Sequence, residues 1–230
     1  MRVDDHPTRR KTGLRAEAKE LFRDAILRAA EEELAEHGFH AARISDIAKR
    51  ARVGVGTVYN HFAQKEDIVR ALLLERLPGV IAELAPRADD PSDWVGSFRA
   101  RMGRMHEFVE ANRQFYMIGC QLGLFGRGSN AGSDEMPSSH ADPRVAKLVA
   151  TVENMIREGI DAGLIAAGDP VRLTRFLMGG TKNLFLGAIS DGIANLKPEG
   201  DLALDLFLKA AGCSAAAAHS QSQPQHKGER

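Results

Sequence analysis

A run of basic, hydroxyl, amide and aromatic side chains lies between residues 43 and 65, and such groups bind phosphates and base edges. Five basic residues stand there against Asp46 alone, a local excess of 5 − 1 = +4. The whole chain has zero formal net charge. Because phosphates dominate affinity for DNA, this local excess predicts a nucleic-acid contact. The basic residues are Arg43, Lys49, Arg50, Arg52 and Lys65.

Two short helices are predicted in this segment, from 44 to 51 and from 55 to 61, separated by the break at 52–54. A helix-turn-helix needs this geometry, with the second helix in the major groove. Ala48 is small where the two helices would cross. The residues expected to lock the pair together are Ile47, Val53, Val58 and Phe62.

The segment from Ile26 to Phe62 resembles the TetR family of bacterial regulators. The resemblance rests on LAEHGF at 34–39, ISDIAKRA at 44–51 and VGTVYNHFAQKEDI at 55–68. It implies a homodimer with an N-terminal DNA-binding domain and a larger C-terminal domain. In that family the C-terminal domain binds a small molecule and dimerises through its last two helices.

The resemblance also implies roles for individual residues. Thr57, Tyr59 and His61 match positions that grip phosphates and groove edges, and Lys65 matches a phosphate-contacting lysine. Ser45, Val55 and Gly56 match positions that reach bases. Asn60 is a further candidate because an amide can pair with adenine through two hydrogen bonds.

Two positions depart from the family pattern. Arg43 replaces the usual Ser or Thr that caps the second helix; an arginine could keep the phosphate contact but not the cap. Arg52 replaces the usual turn glycine. If that turn needs a positive φ, arginine costs roughly 1 kcal/mol there.

Helical periodicity predicts an all-α chain with a three-helix DNA-binding domain followed by a larger helical domain. The expected divisions are a flexible basic arm at 1–15, the helix-turn-helix domain at 16–65, the ligand-binding and dimerisation domain at 66–213, and a disordered tail at 214–230. Pro78-Gly79 is expected to bend or interrupt the fourth helix, which joins the two domains.

The C-terminal domain is predicted to bind an apolar or amphipathic small molecule, oriented by one or two hydrogen bonds. Methionine suits irregular cavities, although a stripe of Met and Phe is more often core than pocket. A fully packed core without a pocket is therefore the alternative. The candidate lining residues are Met102, Met105, His106, Phe115, Tyr116, Cys120, Phe125, Met155 and Asn183.

Dimerisation is expected through the helices at about 170–190 and 199–212, which carry more apolar residues than one face needs. Gly179, Gly180 and Gly187 would permit close approach. The apolar residues behind this expectation are Leu173, Phe176, Leu177, Leu184, Phe185, Leu186, Leu202, Leu206 and Phe207.

The function expected from these patterns is a ligand-responsive regulator that binds operator DNA, more readily a repressor than an activator. An enzyme or binding module that carries a helix-turn-helix is the remaining alternative. We find no sequence pattern for a metal site, a cofactor or a catalytic group, and we read Glu31, Glu32 and Glu33 as a solvated helix face. Two cysteines and no apparent signal or membrane segment favour the cytoplasm.

Overall fold

The computed structural model describes residues 7–121, 123, 142–166 and 168–213, and within those ranges all regular structure is helical. The chain divides into two compact units, 1–75 and 76–230. The helices are α1 (Pro7–Ala41), α2 (Ile44–Arg50), α3 (Val55–His61), α4 (Lys65–Glu83), α5 (Trp94–Ala111), α6 (Arg113–Gln121), α7 (Pro143–Asp161), α8 (Pro170–Ser190) and α9 (Lys197–Ala210).

Helix α1 begins nine residues earlier than the sequence pattern predicted. The prediction of a flexible arm over 1–15 is wrong from Pro7 onwards. Proline is favoured in the first turn of a helix, and the arginines and lysine that follow are good helix formers. Near its other end, Gly38 has the positive φ of 74° expected of a helix stop. A further helical turn follows it.

A small apolar core holds the first unit together. Ile26 and Ala30 on α1 are fully buried, as are Ile47 on α2 and Val58 on α3. The predicted crossing point, Ala48, is also buried. Backbone bonds close the turn between α2 and α3: the N–H of Arg52 donates to Lys49 O at 3.2 Å, and that of Val53 to Ala48 O at 3.0 Å.

Helix α4 continues through Pro78, so the predicted interruption at Pro78-Gly79 does not occur. Pro78 is exposed. A glycine at position 79 leaves room for the Phe108 ring, because a β-carbon there would lie 3.2 Å from that ring. The two positions thus allow close packing of α4 on α5 rather than a break.

The second unit is built from α5 to α9 with the end of α4. The Trp94 ring stacks on Phe98, which stacks on Phe207 of α9. Trp94 also presses on Gly159 of α7 so closely that a β-carbon there would clash. Aspartates cap three helices, since Asp93, Asp142 and Asp169 accept backbone N–H bonds at the starts of α5, α7 and α8.

None of the described helices combines the length and apolar character needed to cross a bilayer. The tail at 214–230 lies outside the described residues, as do residues 1–6 of the predicted arm.

Candidate functional site

One face of α3 is turned to solvent, and it carries most of the predicted DNA-contacting residues. Tyr59 is 53% exposed and Val55 42% exposed, although both are large and hydrophobic. Gly56 and Asn60 are exposed beside them, while Val58 on the opposite face is fully buried. Exposing an aromatic and an aliphatic side chain to water is unfavourable, so their exposure on one face suggests a surface that binds a partner.

The flanks of this face carry the other predicted contacts. Ser45 and Arg43, at the start of α2, are exposed, and Thr57 and His61 on α3 are half-buried. The structure therefore brings all of these residues together within the two helices of one helix-turn-helix. They form what we call the α3 surface, whose members are Arg43, Ser45, Val55, Gly56, Thr57, Tyr59, Asn60 and His61.

Arg50 does not contribute an open positive charge, contrary to the count of +4. Its guanidinium bonds to Glu36 at 2.6 and 2.8 Å, to Glu33 at 3.1 Å and to Glu32 at 3.3 Å. The reading of Glu33 as part of a solvated face is also wrong, since its side chain is only 6% exposed. The exposed basic residues near α3 are therefore Arg43, Lys49 and Arg52.

Lys65 also has a different role in this structure from the phosphate contact that the resemblance implies. Its ammonium donates to the carbonyl oxygens of Phe39 at 2.5 Å and Ala42 at 3.0 Å, and it lies 4.4 Å from the centre of the Phe39 ring. Lys65 thus closes the end of α1. An ammonium has three donors, so one remains for a phosphate.

The two departures from the family pattern have the expected local consequences. Arg43 occupies the N-cap of α2 and makes no capping bond from its side chain. Arg52 has φ +57°, and no other non-glycine residue among those described has a positive φ. The turn therefore does need the conformation that glycine adopts cheaply.

The predicted ligand residues fall into three groups. Met102, Met105, His106 and Met155 are buried, and Phe115, Tyr116 and Cys120 are half-buried. Asn183 is exposed, so its prediction as an inward polar group is wrong for the chain on its own. It lies on the far side of α8 from the buried Thr181 and Phe185. Phe125 lies outside the described residues.

The polar groups of this interior are held in their neutral forms. Burial lowers the pKa of His106 to about 4 and raises the pKa of Cys120 to about 11. Burial also raises the pKa of Tyr116, whose hydroxyl shares a hydrogen bond with Cys120. A neutral thiol and a neutral imidazole fit a binding interior rather than a nucleophilic site.

Two arginines of α5 hold the end of α4, which the sequence did not reveal. Arg101 donates to Leu84 O at 2.7 Å. Arg104 donates to Glu83 O at 3.1 Å and to Ala85 O at 2.9 Å, and pairs with the nearly buried Asp90 at 2.5 Å. These bonds satisfy carbonyls that a helix end leaves open, and they tie α4 to the helix that carries Met102, Met105 and His106.

Together, these features define the class of the protein. A helix-turn-helix with an exposed recognition face, together with a helical unit that has a neutral apolar interior, is the organisation of a DNA-binding regulator. Residues 26–72 match the family described as bacterial regulatory proteins, tetR family.

Known proteins of similar sequence or structure point the same way. The fatty acid metabolism regulator protein of Bacillus subtilis is 28% identical over 156 residues, 68% of this chain and 77% of that protein. The protein in the crystal structure of the transcriptional regulator FadR from Bacillus subtilis in complex with stearoyl-CoA is 25% identical in sequence to this chain. The two structures superpose with a TM-score of 0.57 over 80% of this chain and 96% of the FadR chain. The transcriptional activator FasR of Mycolicibacterium smegmatis is 28% identical over 96 residues, 42% of this chain and 44% of that protein. The chain is a transcriptional regulator, and its DNA-binding segment at residues 26–72 matches the tetR family.

Proposed function

We propose that the chain is a homodimeric repressor, released from its operator by an apolar or amphipathic small molecule. The observation that carries the proposal is the α3 surface, which holds Tyr59 and Val55 in water on the helix that enters the major groove. Phosphate contacts would come from Arg43, Lys49 and the remaining donor of Lys65. Base contacts would come from Ser45, Val55, Gly56 and Asn60.

The proposed dimer forms through α8 and α9. Phe176 on α8 is 57% exposed, and Leu202 and Leu206 on α9 are about half exposed. Leu202 and Leu206 stand four residues apart on α9, so they share one face of that helix. A β-carbon on Gly179, Gly180 or Gly187 would meet nothing within 4 Å in the isolated chain, which leaves room for a second copy. By contrast Leu177, Phe185 and Phe207 are core residues of the single chain.

The proposed ligand is supported by the neutral interior and by one relative. No charged residue stands among the buried residues of α5, which are Phe98, Met102, Met105 and His106. The Bacillus subtilis FadR structure holds stearoyl-CoA, a molecule with a long apolar chain. We therefore take stearoyl-CoA as the first effector to test on this chain.

Release from DNA requires that the ligand prefer one conformation of the dimer, since equal affinity for both would shift nothing. Helix α4 runs from the DNA-binding unit into the second unit. The bonds from Arg101 and Arg104 couple its end to α5. A ligand that displaced α5 would therefore displace α4 as well.

An activator of the same fold is the second candidate, because FasR is named an activator. Transcription in vitro from the bound promoter separates the two. A repressor lowers the yield of transcript and an activator raises it.

The direct test of the proposed function is a gel shift with the full chain and the DNA upstream of its own gene. We expect a specific complex that stearoyl-CoA dissolves and that coenzyme A, which lacks the acyl chain, leaves intact. A fragment from within the coding sequence is the DNA control. A chain that binds both fragments equally would contradict the proposal for DNA, and a complex unaffected by stearoyl-CoA would contradict this effector.

A further inference from the structure

Two buried polar groups of the second unit have no hydrogen-bond partner in the described part of the chain. They are Nε2 of His106 on α5 and Oγ1 of Thr181 on α8, in residues that are 4% and 5% exposed. Buried polar groups are nearly always paired, and leaving one unpaired destabilises the folded protein. Two such groups in one unit therefore need an explanation.

Both groups are neighbours of Phe185. The His106 ring contacts Phe185 edge to face, with ring centres 5.2 Å apart. Thr181 precedes Phe185 by one helical turn on the same buried face of α8, a spacing that makes side chains neighbours. Phe185 also packs with Leu196, Val109 and Tyr116. The Phe185 ring that both groups neighbour is thus packed in mainly apolar surroundings.

The position of His106 is fixed by its neighbours rather than by a hydrogen bond at Nε2. Its Nδ1 edge lies against Gly200 of α9, where a β-carbon would come within 2.4 Å. The glycine therefore makes room for this ring.

Thr181 differs from its counterpart on the same helix. Thr174 lies two turns earlier, is equally buried, and donates its hydroxyl to Pro170 O at 2.8 Å. That is the usual bond of a threonine inside a helix. Thr181 makes no such bond. Its hydroxyl is available in a way that the Thr174 hydroxyl is not.

We propose that His106 and Thr181 form the polar end of the ligand site and hydrogen-bond an uncharged oxygen of the ligand, such as that of an ester, thioester or alcohol. This rests on the proposed function and specifies the chemical class of its effector. The imidazole can donate or accept, and the hydroxyl can do both, so either a carbonyl or a hydroxyl oxygen is matched.

An ionised carboxylate fits this site poorly. The charged groups that affect the pKa of His106 are Asp201 and Lys197, of opposite sign, and these two pair with each other at 2.8 Å. Burial lowers the pKa of His106 to about 4, so at neutral pH the imidazole is uncharged and offers no positive charge to balance an anion. A buried unpaired anion is strongly disfavoured.

The test uses the full chain and three probes of equal chain length: dodecanol, methyl dodecanoate and dodecanoate, measured by calorimetry at neutral pH. We expect the alcohol and the ester to bind more tightly than the anion. Thr181→Val and His106→Leu are expected to weaken dodecanol binding about tenfold each, the value of one hydrogen bond. Thr174→Val is the matched control, and it should bind dodecanol like the wild type.

Folding of the variants is checked independently. Thr181→Val removes a hydroxyl that has no partner, so the unfolding temperature without probe should equal or exceed that of the wild type. Lost affinity then cannot reflect unfolding.

Three results would overturn the proposal: dodecanoate binding most tightly, no probe binding the wild type, or both variants binding dodecanol unchanged. The gel shift reports the proposed function separately. Wild-type protein that binds its own upstream DNA but none of the probes would refute only the polar site. Wild-type protein that binds no DNA specifically would refute the proposed function itself.

Discussion

Arg52 is the residue at which the helix-turn-helix is most strained. Its φ of +57° lies in the left-handed region, which costs a residue with a β-carbon roughly 1–2 kcal/mol. The family pattern has glycine there, so the strain was foreseeable from the sequence once the turn was placed.

Replacing Arg52 tests this strain. We expect Arg52→Gly to have a free energy of unfolding about 1 kcal/mol higher than Arg52→Ala, because both lose the side chain but only glycine adopts a positive φ without cost. Urea denaturation measures the difference. An alanine variant as stable as the glycine variant would show that the turn is not strained.

Lys65 and Glu33 show why residue roles could not be read from spacing alone. A lysine four residues after His61 looks open to phosphate, yet its ammonium binds the carbonyls of Phe39 and Ala42. Those carbonyls are 23 and 26 residues away in sequence, and no local pattern indicates them. Lys65→Ala would therefore change stability together with DNA binding, and it is a poor test of either.

The attachment of α2 to α1 depends on Arg50. Its guanidinium bonds to carboxylates one turn apart on α1, including Glu33 and Glu36. Arg43 provides no cap for α2, so the helix relies on this network and on the burial of Ile47. The network holds α2, the helix that precedes the recognition helix α3, against α1.

We expect Arg50→Met to lower the unfolding temperature at neutral pH, because the nearly buried Glu33 would lose its arginine partner and keep only the contact with His37. The Arg50 guanidinium lowers the pKa of Glu36, so its contribution is present at neutral pH and is lost as the pH falls through that lowered pKa. The difference in unfolding temperature between variant and wild type should therefore shrink as the pH falls through the lowered pKa of Glu36. Arg157→Met is the control, since Arg157 is more exposed and, in the described part of the chain, bonds to Asn154 and Glu153 of its own helix. Equal loss in both variants would contradict a special role for Arg50.

Elements were easier to predict than their ends and contacts. The sequence pattern predicted the two short helices of the helix-turn-helix and the helices at about 170–190 and 199–212, which are α2, α3, α8 and α9, because the signals for them are local. It missed the start of α1 and the continuity of α4 through Pro78. In α4, the packing of Gly79 against Phe108 of α5 is a tertiary contact that helix propensity does not indicate. The sequence did not indicate Thr181 as a candidate ligand contact, because its hydroxyl is unusual only in lacking a hydrogen-bond partner in the described part of the chain.

At the scale of the whole molecule, the proposed function requires a second copy of the chain. The exposed residues Phe176, Leu202 and Leu206 predict a dimer through α8 and α9. We expect Phe176→Glu to sediment as a monomer at micromolar concentration, where the wild type is a dimer, because a charge would be buried in the interface. Lys147→Glu, at an exposed position of α7, is the control. A dimeric Phe176→Glu variant would place the interface elsewhere.

The central claim is that the α3 surface binds operator DNA, and fluorescence anisotropy tests it most directly. Wild type, Tyr59→Ala and Lys147→Ala are titrated onto the DNA upstream of the gene at several salt concentrations. We predict that affinity falls with salt, that Tyr59→Ala binds about tenfold more weakly or worse than the wild type, and that Lys147→Ala binds like the wild type. Equal affinity of Tyr59→Ala and wild type at every salt concentration would contradict the claim.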